Sequence, residues 1–187
     1  MTGDERWRTT GEHEVIRRAP GHPNEEDVAM HEPSNIHQWR RVNEKLTTSG
    51  QPTEEQLEEI KALGVTHVVN LGMHDHERAL DDEASSVANL GMVYVHIPVE
   101  MTNPTERDFE QFCDAMADAG DTTVHVHCIA NLRVTAFLYR YQRDILCLGE
   151  GQARETMDTV WRPGGVWAAF IGDEASVGLE HGPPEKK

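Results

Sequence analysis

The sequence predicts an α/β domain, built on a mainly parallel central sheet with helices on both faces. Two observations predict it. Short runs dense in β-branched residues, at 65–71, 92–99 and 124–127, alternate with segments whose apolar residues recur at helical spacing. Strands that alternate with helices are the pattern of βα units, whose strands run parallel and are covered on both faces. The clearest such unit lies at 122–140. Val124 and Val126 alternate there with His125 and His127, and then Val134, Phe137, Leu138, Tyr141 and Ile145 recur at helical spacing.

Each element has a local reason. Residues 1–34 are polar, carry three prolines and show no period, so we read them as an N-terminal arm that only Trp7, Val15 and Ile16 could dock. An edge hairpin is expected around 36–46, with Trp39 and Val42 as its apolar contacts, followed by a turn at Ser49, Gly50, Gln51 and Pro52. Thr53 caps a helix and Gln56 completes a capping box. Leu57, Ile60 and Leu63 face inward, and Gly64 ends the helix. The strand at 65–71 leads through a polar loop to a short helix near 82–90, closed by Gly91. After the strand at 92–99, Thr105 opens a helix with the stripe Phe109, Phe112, Cys113 and Met116. A helix starts near Arg133. Gly149 and Gly151 mark a turn, and a helix at 152–161 stops at Pro163. A last helix holds Val166, Trp167, Phe170 and Ile171. The domain is thus expected at 35–175, with a polar tail at 176–187.

Composition excludes several classes. The formal charge is −16, from 33 acidic and 17 basic residues, which argues against nucleic acid or an anionic membrane surface as a partner. No apolar run approaches the ~20 residues needed to span a bilayer. Residues 1–30 are charged throughout and lack the apolar segment of a signal peptide. Cys113, Cys128 and Cys147 are odd in number and widely spaced, which suits a reducing compartment, and we expect a cytoplasmic protein.

Cys128 lies on the strand-to-helix turn. Free N–H groups and the helix dipole favour the thiolate and a bound oxyanion there. Arg133 can fork onto two oxygens of that anion. A lone Cys is more often a small buried hydrophobe, so the context and not the residue carries this reading.

Strand, His127-Cys128, short loop, Arg133 and helix together resemble the cysteine-dependent tyrosine and dual-specificity phosphatases. The segment Ser49-Gly50-Gln51-Pro52 and the strand at 64–71 are similar to those of the bacterial atypical branch. The resemblance covers roughly 36–171. It implies a protein tyrosine phosphatase-like fold with no metal and no cofactor. It implies Cys128 as nucleophile through a phospho-cysteine intermediate, and phosphate held by Arg133 and the N–H groups of Ile129, Ala130, Asn131 and Leu132. His127 resembles the family residue that steadies the loop. The implied substrate is a phosphorylated protein, phosphotyrosine above all, or a small phosphate ester.

Four departures bear on activity. Four residues separate Cys128 from Arg133, where the family has five. The loop has no glycine, which leaves Asn131 as the residue best able to adopt positive φ. Val134 stands where the family has Ser or Thr, so Thr135 is the candidate to steady the sulfur. The family's general acid is an Asp in the loop corresponding to 98–104, and Glu100 is the only carboxylate there. Asp108 is a weaker candidate. His74, Asp75, His76 and Glu77 could border the mouth, but their spacing matches no metal site. The expectation is a weak phosphatase. The alternatives are a silent phosphate-binding module and a rhodanese-like sulfurtransferase, whose loops are also short.

Overall fold

A computed structural model describes residues 32–33 and 35–184. The arm assigned to 1–34, with Trp7, Val15 and Ile16, therefore lies outside the described residues except for Glu32 and Pro33.

Five strands form one sheet: β1 (Arg40–Asn43), β2 (Leu46–Ser49), β3 (His67–Asn70), β4 (Val93–His96) and β5 (Val124–His127). Their order is β1-β2-β5-β3-β4. Among these five strands the β1–β2 hairpin is antiparallel, and the other three pairings are parallel. The helices are α1 (Glu54–Ala62), α2 (Glu83–Asn89), α3 (Glu106–Ala119), α4 (Leu132–Arg140), α5 (Glu150–Asp158) and α6 (Gly165–Ile171).

The alternation of side chains along a strand divides the core in two. Val68 faces α1 and α2, where it packs with Leu57, Ile60, Val87 and Met92. Val69, Val124 and Val126 face the other way, into a core of Phe109, Phe112, Phe137, Met157, Trp167 and Ile171 from α3 to α6. On β5 that alternation sends His125 and His127 to the α1–α2 side. His125 is fully buried, and burial holds its imidazole well below the ordinary range, so it is neutral. Ser49 donates its one proton to the Gly50 carbonyl, so His125 Nε2 donates to Ser49 Oγ at 3.1 Å. Thr47 Oγ1 then donates to Nδ1 at 2.9 Å.

Most expected boundaries hold, and the differences have causes. Thr53 and Thr105 both close capping boxes, with Gln56 and Asp108 respectively. Gly64 and Gly91 sit at positive φ just past α1 and α2. Ile145 falls on the helical spacing of the apolar residues from Val134 but is 51% exposed. The helix widens into a π turn at Tyr141–Ile145, which shifts the phase of its stripe. Gly151 lies inside α5 rather than in a turn, because Gly149 takes the N-cap. Val166 is 48% exposed, since α6 buries only one face. Part of the segment expected as a tail is packed. Arg162 and Gly182 exchange backbone hydrogen bonds, and His181 lies against Trp161 with ring centroids 4.9 Å apart. Gly164 permits this approach, since a Cβ there would come within 2.4 Å of the Leu179 carbonyl oxygen.

Candidate active site

The parallel strands end in one row. Ser49 of β2 pairs with His127 of β5, which pairs with Asn70 of β3, which pairs with His96 of β4. Loops beyond the carboxyl ends of parallel strands are where α/β sheets bind ligands. The 128–133 loop leaves from the middle of this row. Cys128 is buried, and its N–H donates to the Ser49 carbonyl at 3.3 Å. The Ile129 carbonyl accepts from Gln51 N–H at 3.2 Å. The Ser-Gly-Gln-Pro segment is thus the outer wall of the loop. Gly50 must be glycine there, since a Cβ would meet the Ile129 carbonyl oxygen at 2.7 Å and His37 Cδ2 at 2.9 Å.

Asn131 turns the chain at φ 63°, ψ 5°, immediately before α4. Its left-handed conformation lets helix α4 start at Leu132. Among the described residues, the N–H groups of Ile129, Ala130, Leu132 and Arg133 have no hydrogen-bond acceptor. Arg133 is only 9% exposed. Its Nε is fully shielded and unpartnered, and no carboxylate among the described residues pairs with its guanidinium. A buried cation beside unclaimed N–H groups at a helix start has the chemistry to hold an oxyanion.

The other predicted residues fall as follows. His127 is fully buried beneath Cys128. Thr135 is also fully buried. Its hydroxyl donates to the Leu132 carbonyl at 3.1 Å and accepts from Trp161 Nε1 at 3.1 Å, so it is engaged within α4 and the core. Glu100 is exposed, on the loop between β4 and α3. Val99 N–H reaches the Leu71 carbonyl at 3.4 Å, and Leu71 N–H reaches the His127 carbonyl at 2.8 Å. Glu100 therefore leaves the same end of the sheet two strand spacings from Cys128, roughly 10 Å across the sheet. Trp167 Nε1 holds that loop through the Met101 carbonyl at 2.7 Å. Asp108 is the capping partner of Thr105, with Thr105 N–H donating to its carboxylate at 2.9 Å. His74 stacks on His96 at 3.7 Å and sets its Nε2 3.1 Å from the Tyr94 hydroxyl.

Sequence reasoning missed Glu83. Its side chain is 1% exposed, with Oε1 3.0 Å from His127 Nε2, off the line of a good hydrogen bond. Burial alone would raise its carboxyl. The His127 imidazole beside it and donors from Tyr94 and Gln51 outweigh that, and hold it at about 2. A signal was present, for Glu83 interrupts the apolar stripe Leu80, Val87 and Leu90 at helical spacing.

Among the described residues, no group of three or more His, Cys, Asp or Glu is placed to hold a metal, and no helix is long and apolar enough to cross a membrane. A cavity of about 630 Å³ opens between the starts of α1 and α2, but Glu54, Glu55, Asp81 and Asp82 line it and repel the anion that Arg133 attracts.

A parallel sheet whose middle strand runs into a Cys-loop-Arg turn and a helix is the fold of the cysteine-dependent tyrosine and dual-specificity phosphatases. Residues 19–160 match the family described as DSP-PTPase phosphatase fused to NAD+ kinase, and the chain belongs to that family. A DUF442 protein from Shewanella putrefaciens CN-32 superposes with a TM-score of 0.65 at 33% identity, over 78% of this chain and 96% of that one. Pseudomonas aeruginosa TpbA in complex with phosphotyrosine shares the fold, with a TM-score of 0.54 at 17% identity over 74% of this chain and 77% of its own. A beta-lactamase hydrolase-like protein from Xylella fastidiosa is 30% identical over 95 residues, 49% of this chain. The match spans only 22% of that relative's length.

Proposed function

We propose that this chain is a cysteine-dependent phosphatase of low turnover, acting on phosphotyrosine or a small phosphate monoester. The observation that carries the reading is Arg133, a nine-tenths buried residue with its Nε shielded and no counter-charge among the described residues, at the start of α4. In the first step the Cys128 thiolate attacks phosphorus. The P–O bond to the leaving group breaks as the P–S bond forms, and Glu100 delivers a proton to the departing oxygen. In the second step water attacks phosphorus, Glu100 takes up its proton, the P–S bond breaks, and phosphate leaves with Cys128 restored. Arg133 forks two equatorial oxygens, and the N–H groups of Ile129, Ala130, Asn131 and Leu132 are distributed over all three. His127 supports the loop from beneath.

Turnover is low for two reasons in this reading. The loop is one residue short, so one N–H donor is missing. The only carboxylate on the acid loop is the exposed Glu100. That second feature also supports an alternative, a silent module that binds phosphate or phosphoprotein without hydrolysis.

Hydrolysis of an aryl phosphate, paired with titration of vanadate, tests both readings. Wild type hydrolyses slowly, Cys128→Ser not at all. Arg133→Lys loses about ten- to hundredfold in vanadate affinity, because Lys offers a point charge without the planar fork. Vanadate binding without hydrolysis selects the silent module. Unchanged vanadate affinity in Arg133→Lys removes Arg133 from the site.

A further inference from the structure

A carboxylate buried on the inner face of a helix is costly unless its lone pairs are used. Glu83 uses both oxygens. Oε1 accepts from Gln51 Nε2 at 2.9 Å and stands 3.0 Å from His127 Nε2. Oε2 accepts from Asn70 Nδ2 at 2.7 Å and from the Tyr94 hydroxyl at 3.0 Å.

Three of these partners lead to the nucleophile by separate routes. His127 precedes Cys128 in the chain. Gln51 holds the Ile129 carbonyl through its own N–H at 3.2 Å. Asn70 Oδ1 accepts from Gly72 N–H at 2.6 Å, and Gly72 lies against the loop: a Cβ there would stand 3.3 Å from Ile129 Cδ1 and 3.6 Å from Cys128 Cα. The fourth partner, Tyr94, extends the network to the exposed His74.

We propose that Glu83 is a positioning residue for the 128–133 loop, one carboxylate that fixes the segments before, beside and opposite Cys128 at once. Its consequence for turnover rests on the phosphatase reading; its consequence for the loop does not. Charge and shape are both needed. In Glu83→Gln the amide keeps one acceptor and gains a donor. Whichever way it turns, its NH2 faces another amide NH2, that of Gln51 or that of Asn70. Buried donors left without an acceptor loosen what they held.

The test is amide hydrogen exchange by NMR at Gln51, Gly72 and Cys128, with Phe112 in α3 as the distant control. In Glu83→Gln the three amides exchange about tenfold faster while Phe112 is unchanged, and kcat/KM for an aryl phosphate falls by a similar factor. Tyr94→Phe, which removes one donor, moves the same three amides in the same direction, and it decides alone if Glu83→Gln does not fold. Wild-type rates at the three amides overturn the proposal. So does acceleration shared equally by Phe112, which is general loosening. A wild type with no hydrolysis removes the phosphatase reading and leaves the exchange result to decide this one.

Discussion

Asn131 Nδ2 donates to the Gln38 carbonyl at 2.8 Å, and the same nitrogen reaches Thr48 Oγ1 at 3.0 Å. The left-handed residue of the 128–133 loop is thereby pinned to the edge hairpin. The shape of the loop depends on a chain segment far from it in sequence.

Replacing Asn131 should therefore separate conformation from anchoring. Asn131→Ala combines an unfavourable left-handed backbone with a lost anchor, and should destabilise by about 2 kcal/mol or more. Asn131→Gly keeps the backbone freedom and should recover about 1 kcal/mol of that. Urea denaturation of the three proteins measures the difference. Equal stability of the Ala and Gly variants would show that positive φ carries no cost here.

Glu100 should matter only where a proton is needed. Glu100→Gln should slow hydrolysis of esters with basic leaving groups at least tenfold, and barely affect esters whose leaving groups are very acidic. Asp108→Asn is the comparison. It weakens the capping box of α3, so its effect should fall on stability, with the leaving-group dependence unchanged. The same loss on both ester classes in Glu100→Gln would assign Glu100 a structural role.

Loop length should limit turnover. One Gly inserted between Asn131 and Leu132 restores the family spacing, adds an N–H donor and tolerates positive φ. A charge-assisted hydrogen bond is worth about 1.5–3 kcal/mol. Phosphate affinity or turnover should rise by roughly tenfold or more. A folded insertion variant with no gain, or a wild type as fast as ordinary family members, defeats the loop-length account.

Glu83 sets an acid limit on stability. Its carboxyl is held at about 2, against an ordinary value of 4.5 in the unfolded chain. A depressed carboxyl contributes stability above the unfolded value and loses it as pH falls toward the folded one. The window therefore runs from about pH 4.5 down to about pH 2. A gap of that size corresponds to about 3 kcal/mol across the full window. The urea midpoint of wild type should fall more steeply between pH 5 and pH 3 than that of Glu83→Gln. Parallel slopes would show that Glu83 does not titrate differently on folding.

What the sequence determined by itself is local in physical origin. Caps at Thr53 and Thr105 and stops at Gly64 and Gly91 each depend on a few neighbouring residues. The alternation of Val124 and Val126 with His125 and His127 told the faces of β5 apart, because side chains on a strand have a period of two. The 128–133 loop and the helix after it were legible for the same reason. Tertiary structure alone decided which polar groups meet. The pairing of β5 between β2 and β3 brings Ser49, His127 and Asn70 into one row, and α2 carries Glu83 beneath it. No local period encodes that order. It also decided the partners of Thr135, which lies one residue past the family position and whose hydroxyl meets Leu132 and Trp161 once α4 packs. Helix caps follow from the free energy of a few adjacent residues, whereas a buried carboxylate is tolerated only when partners from several segments arrive together.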